Sequence, residues 1–130
     1  MPFIADLDRR ASIEEKIRAA WIDFDAQEWL GATTFAGSAL ESVLLWAIEN
    51  ANVETKKTPN EMVLSELIDA AALAALTTSD AKKLAQMAKD ARNLIHPGRV
   101  ARLGVSCSKA SALTAMAALY TVVEELAKGR

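Results

Sequence analysis

Apolar residues recur along the chain at intervals of three and four, and no stretch sustains a period-two alternation of β-branched residues, so the pattern predicts an all-α protein. The first helix has its start signal at Ser12-Ile13-Glu14-Glu15, where a hydroxyl and a glutamate three residues later satisfy each other's orphan backbone donors. Ile13, Ile17, Trp21 and Phe24 then make one apolar stripe, and Gly31 with Ala32 marks the break. A second helix, from about Thr33 to Asn50, is apolar on more than one face through Phe35, Ala39, Leu40, Val43, Leu44, Trp46 and Ala47, which makes it the expected centre of the bundle. Gly37 and Ser38 weaken it locally, and the expected return is the close approach of another backbone.

Asn52 to Lys57 is polar and reads as a loop. Thr58-Pro59-Asn60-Glu61 is a second capping box with proline at the first helical position, and Val63, Leu64, Leu67, Ile68, Ala71 and Ala72 supply the core face of a third helix. Thr77, Thr78 or Ser79 caps a fourth, with Leu84, Ala88, Ala91 and Ile95 on one side and Pro97-Gly98 as its stop. After a loop from Arg99 to Ser108, a last helix from Lys109 to Lys128 is expected to bury Leu113, Met116, Leu119, Tyr120 and Val123. Four to five helices with short connections predict an antiparallel helical bundle forming a single domain over residues 1–130.

Composition narrows the chemistry. A chain of 130 residues that is 52% hydrophobic can bury a core without a disulfide or a structural metal. The single cysteine, Cys107, has no internal partner, and one histidine, His96, cannot complete a Cys/His zinc site, so no metal and a reducing, cytoplasmic setting are expected. The opening Met1-Pro2-Phe3-Ile4-Ala5-Asp6 lacks the charge-then-apolar order of a secretory leader. The longest apolar stretch, between Lys109 and Glu124, falls short of the roughly 20 residues of a membrane span, so no membrane association is expected. There is no Walker loop, no Gly-x-Gly-x-x-Gly run and no Glu-x-x-His, which leaves no cofactor signature.

Charge singles out one region. The formal net charge is -2, yet residues 81–110 hold seven cations (Lys82, Lys83, Lys89, Arg92, Arg99, Arg102 and Lys109) against one anion, Asp90, a local charge of +6 around the only histidine. Helical rotation puts Arg92 and His96 about 40° apart, with Lys89 and Asn93 on the same polar flank. A cation, an amide and an imidazole thus share one edge. Lys89, Arg99 and Arg102 are candidate phosphate contacts, although a solvated lysine-rich helix face gives much the same count.

The string Arg92-Asn93-Leu94-Ile95-His96-Pro97-Gly98, preceded by Gly37-Ser38-Ala39-Leu40-Glu41-Ser42-Val43-Leu44 and by Leu64-Ser65-Glu66-Leu67-Ile68, resembles the HEPN-like family of small bacterial helical proteins, the higher eukaryotes and prokaryotes nucleotide-binding group. The similarity runs from about Phe35 to Arg99. It implies a helical bundle that dimerises, binds RNA or a nucleotide and, in many members, cleaves RNA without a metal in toxin–antitoxin or phage-defence systems, with an antitoxin or a nucleotidyltransferase as possible partner. Arg92, Asn93 and His96 match the family's catalytic arginine, following polar residue and histidine. The family places four to six residues between the arginine and the histidine, and here there are three.

Each of these residues has a plainer reading. His96 before Pro97 can simply cap the last helical carbonyls, Arg92 can pair with Glu41 or Asp90, and Asn93 can satisfy local backbone. Glu41 either supports the site by holding Arg92 or reaches solvent at the bundle edge. On this alternative the chain is a non-catalytic dimeric interaction or regulatory module. Trp21, Trp29 and Trp46 sit at core-compatible positions, the adjacent pairs Glu14-Glu15 and Glu124-Glu125 read as solvated, and no short helix pair presents the basic recognition face of a helix-turn-helix.

Overall fold

The computed structural model describes residues 1–93 and 107–129. Among them the chain is all-helical, with five α-helices, one isolated turn of 3-10 helix and no strand. Leu94, Ile95, His96, Pro97-Gly98, Arg99 and Arg102 lie outside the described residues, and with them the expected helix stop and part of the basic region.

Helix α1 spans Leu7–Asp25, starting earlier than the Ser12 box predicts. Asp6 is the cap: its carboxylate accepts from Arg9 N–H at 3.1 Å, so Ser12 falls inside the helix. The helix ends at a turn through Gln27, which takes a left-handed φ of 62°, and not at Gly31. Gly31 instead belongs to the first turn of α2, Trp29–Asn50, where a Cβ would collide with the Asp23 carboxylate of α1. Thr33, expected near the start of α2, is buried within it and donates its hydroxyl to Trp29 O at 2.8 Å, so the hidden oxygen is satisfied inside the helix.

Three contacts fix α1 and α2 as antiparallel neighbours. Arg9 pairs with Glu49, Lys16 donates to Ser42, and Phe24 meets Trp29 across the connecting turn. As expected, α2 is central: it packs against every other helix and buries Leu40, Val43, Leu44 and Ile48 completely or nearly so.

Thr58-Pro59-Asn60-Glu61 does not open the third helix. Pro59–Glu61 is a single 3-10 turn, Met62 and Val63 are extended, and α3 runs Leu64–Leu73. Valine has no side-chain acceptor, so the cap is half a capping box: Glu66 reaches back to accept from Val63 N–H at 2.9 Å and also pairs with Lys57 at 3.0 Å. The Val63 hydrogen bond, then the Lys57 hydrogen bond with a smaller contribution from its charge, hold the Glu66 carboxyl below its ordinary value. A depressed carboxyl contributes stability above the unfolded-state value and loses it as pH falls through the folded one. Glu66→Gln is therefore expected to lower the urea midpoint at pH 7, with the gap from the parent closing at pH 3. A gap of equal size at both pH values would show that the charge contributes nothing. Val63 is exposed and Ala72 half-buried, while Leu64, Leu67, Ile68 and Ala71 form the buried face.

Helix α4, Ser79–Asn93, is capped by Thr78, whose Oγ1 accepts from Ala81 N–H at 3.2 Å. Glu125 of the last helix grips the same residue, accepting from its N–H at 2.8 Å and its hydroxyl at 2.6 Å. Glu125 is thus a clamp rather than a solvated charge, and Glu14 likewise sits 3.8 Å from Arg10. Helix α5 spans Lys109–Lys128, as predicted, with a reciprocal Ser108/Ser111 cap. The Thr78–Glu125 contact joins the start of α4 to the end of α5, so these two also run antiparallel.

The stripe that α5 buries differs from expectation. Met116 and Leu119 are inside, but Leu113 and Tyr120 are about half exposed and Val123 is only half-buried. Ala112, Ala115, Ala118, Val122 and Leu126 take the interior positions. The buried residues of α4 are all alanine (Ala81, Ala85, Ala88 and Ala91), so α4 and α5 pack through small side chains that bring the two backbones together. Leu84, expected on that face, is half-buried.

Two helices, α2 and α5, are long and apolar enough by length and composition to cross a membrane, a test that buried core helices also pass; the apolar run between Lys109 and Glu124 lies within α5. Small and hydroxyl residues extend both helices beyond the strongly apolar runs. In α2 most of that apolar surface is spent on the core of the bundle.

Candidate functional site

The last turn of α4 lies over the middle of α2. Gly37 makes this possible: a Cβ there would stand 2.8 Å from Arg92 Cδ and 3.4 Å from its Cγ. The close approach expected at Gly37 is therefore real, but what approaches is the Arg92 side chain and not a backbone. The guanidinium continues one turn along α2 to Glu41, where NH1 donates to Oε2 at 2.7 Å. Both partners keep water contact, with side chains 29% and 40% exposed, so the pair orients Arg92 far more than it stabilises the fold.

Asn93 follows Arg92 and is half-buried at the same helix end. Lys89, one turn earlier, sits 3.5 Å from the exposed Asp90 carboxylate. Lys82 stands 3.7 Å from Asp69 of α3. The basic region is thus partly offset by carboxylates that lie far away in the sequence: Glu41 and Asp69 both come from outside residues 81–110. Lys83 and Lys109 have no carboxylate partner among the described residues. His96, Arg99 and Arg102 lie outside the described residues, so Arg92, Asn93, Lys89 and Glu41 are the predicted site residues the structure places.

At the next residue of α2, Lys16 of α1 donates to Ser42 Oγ at 2.9 Å. Glu41 and Ser42 are consecutive, so α2 meets a cation from α4 and a cation from α1 at neighbouring positions. Nothing in the local sequence around Lys16 signals this. The contact spans 26 residues and depends on the α1–α2 register that the Arg9–Glu49 pair sets. Beside Ser42, a hollow of about 380 Å³ opens between α1 and α2, lined by Asp8, Arg9, Ser12, Ile13, Ser42 and Leu45.

The remaining candidates resolve simply. Trp46 is buried and packs edge-on to Phe3 at 5.4 Å, but Trp21 is 39% exposed and belongs with Phe24, Trp29 and Tyr120 to an aromatic chain at the surface, which corrects its assignment to the core. Cys107 is half-buried and free. No group of three potential metal ligands occurs among the described residues. Comparison with known proteins finds no matching family model, no matching curated protein and no matching solved structure.

Proposed function

We propose that this chain is a HEPN-like homodimer that binds RNA at the Arg92 edge and cleaves it without a metal. The observation that carries this reading is the Arg92 guanidinium, laid across Gly37 and bonded to Glu41 through one nitrogen, while its other donors make no hydrogen bond among the described residues and can serve a phosphate. In this reading Arg92 and Asn93 hold the scissile phosphate and its growing negative charge, and His96 moves protons. The neighbouring 2′-hydroxyl attacks phosphorus, its proton leaves to a base, and the bond to the 5′ oxygen breaks as that oxygen gains a proton. DNA lacks the nucleophile and is spared. An antitoxin or a nucleotidyltransferase encoded beside such a protein is the partner class this function implies.

A second reading, a non-catalytic interaction or regulatory module, is favoured by the Arg92–Glu41 pair itself, because a guanidinium already neutralised by a carboxylate serves packing as well as catalysis. The test incubates single-stranded RNA, and DNA of the same sequence, with the parent and His96→Ala proteins in excess chelator. The expected result is RNA cleavage by the parent, slower by about 100-fold or more in His96→Ala, with DNA intact. Equal RNA survival in both removes the ribonuclease and leaves the module, for which Arg92→Ala lowers RNA affinity or dimer stability with no turnover to lose.

A further inference from the structure

Six described lysines and arginines are half-buried, namely Arg9, Arg10, Lys16, Lys82, Lys89 and Arg92. Five of them sit against a carboxylate: Arg9 on Glu49, Arg10 on Glu14, Lys82 on Asp69, Lys89 on Asp90 and Arg92 on Glu41. Lys16 is the exception. Among the described residues its ammonium has no carboxylate within ion-pair distance, and its polar contact is the neutral Ser42 Oγ at 2.9 Å. Partly removing an ammonium from water without a counter-charge is unfavourable unless something else supplies the anion.

Ser42 is arranged to help supply that anion's hydrogen bonds. Thr33, Thr34, Thr114 and Thr121 all spend their hydroxyl protons on the carbonyl four residues back in their own helices. Ser42 makes no such bond among the described residues; it accepts from Lys16, and its own O–H remains available to donate outward. An ammonium with unused donors and a hydroxyl donor, side by side and half-buried, present the donor set of a phosphate subsite. The hollow of about 380 Å³ that begins at Ser42 is within the size range of small-ligand pockets, with Ile13 and Leu45 as apolar walls and Asp8, Arg9 and Ser12 as a polar edge, which gives a base a surface to lie on and groups to hydrogen-bond.

We infer that Lys16 and Ser42 form a second phosphate subsite, and that the ligand is a single-stranded oligoribonucleotide laid across α2, with one phosphate at Arg92 and a neighbouring one at Lys16. The inference rests on the reading of Arg92 as a phosphate contact. It adds that α1 takes part in binding, and that a strand with successive phosphates is preferred to a mononucleotide. Arg92 and Lys16 bond consecutive residues of α2, Glu41 and Ser42, and in this inference one short strand bridges the two.

The experiment measures binding of a six-nucleotide oligoadenylate RNA by fluorescence anisotropy over a range of salt, for the parent, Lys16→Gln, Ser42→Ala and Arg92→Gln proteins, each checked for helix content by circular dichroism. Lys16→Gln is expected to weaken binding about tenfold and to flatten the slope of log affinity against log salt by about 0.7, the contribution of one phosphate on a single strand. Ser42→Ala is expected to weaken it less, with the slope kept, and Arg92→Gln to resemble Lys16→Gln. If Lys16→Gln and Ser42→Ala both leave affinity and slope unchanged while Arg92→Gln lowers them, the second subsite is overturned and the reading of Arg92 stands. If Arg92→Gln changes nothing, that reading fails, and with it the idea of one strand held at two points.

Discussion

Replacing Leu44 with alanine is expected to cost about 2–5 kcal/mol of folding stability, the range for deleting a large buried aliphatic side chain. Leu44 is 1% exposed, on the one helix that touches all the others. A void there has walls from several elements, and a collapse that suits one neighbour pulls away from the next. The measurement is urea unfolding of the parent and variant, with the midpoint falling and the slope unchanged. Leu73→Ala is the matched comparison: Leu73 is 92% exposed at the end of α3, and its loss should stay within about 0.5 kcal/mol. A Leu44→Ala cost of the same size as Leu73→Ala would mean that α2 is not the centre of the core.

Gly37→Ala is expected to separate stability from ligand binding. Alanine is favoured over glycine inside a helix by about 1 kcal/mol, while its methyl would lie too close to Arg92 Cδ to be tolerated without movement. The atom in the way belongs to a flexible side chain, so Arg92 swings off and its pair with Glu41 opens. Exposed ion pairs contribute little, on the order of 0–1 kcal/mol, so the two stability effects nearly cancel. RNA affinity does not share in that cancellation, and a loss of about tenfold, or roughly 1.4 kcal/mol, is expected with the melting temperature close to the parent's. A variant that melts like the parent and binds RNA equally well would show that the position of Arg92 over Gly37 is irrelevant to binding.

Much of the fold was legible in the sequence because helix type and helix order are written in local periodicity. The central role of the helix ending at Asn50, the loop that follows it, the cap near Thr78 and both ends of α5 all follow from residues close together in the chain. Helix starts were less legible, because several caps compete and only one wins: Asp6 outbid Ser12, and the Thr58 box yielded a turn of 3-10 helix before Val63 and Glu66 opened α3. The face of α5 was misassigned for a different reason. Ranking residues by apolar size put Leu113 and Tyr120 inside, whereas the partner helix buries only alanines and its close approach selects small residues in return. At the candidate site, the glycine, the glutamate and the arginine could each be singled out, and pairing of Glu41 with Arg92 was one of two open readings. Their geometry depends on residues 51 apart being brought together, as does the offsetting of Lys82 by Asp69. Lys16 stayed invisible because a lysine among other polar residues on a surface helix has no local mark.

The contact between α1 and α5 also equips the molecule with its own optical gauge. Tyr120 is the sole tyrosine, and its ring lies 6.0 Å from that of Trp21, with the indole N–H donating to the phenol oxygen at 2.8 Å. Tyrosine emission overlaps indole absorption, so at this separation light absorbed by Tyr120 re-emerges as tryptophan fluorescence. Unfolding that carries Tyr120 well away from Trp21 and the nearby Trp29 raises emission near the tyrosine wavelength, which lets loss of this corner be followed in real time without attaching a dye.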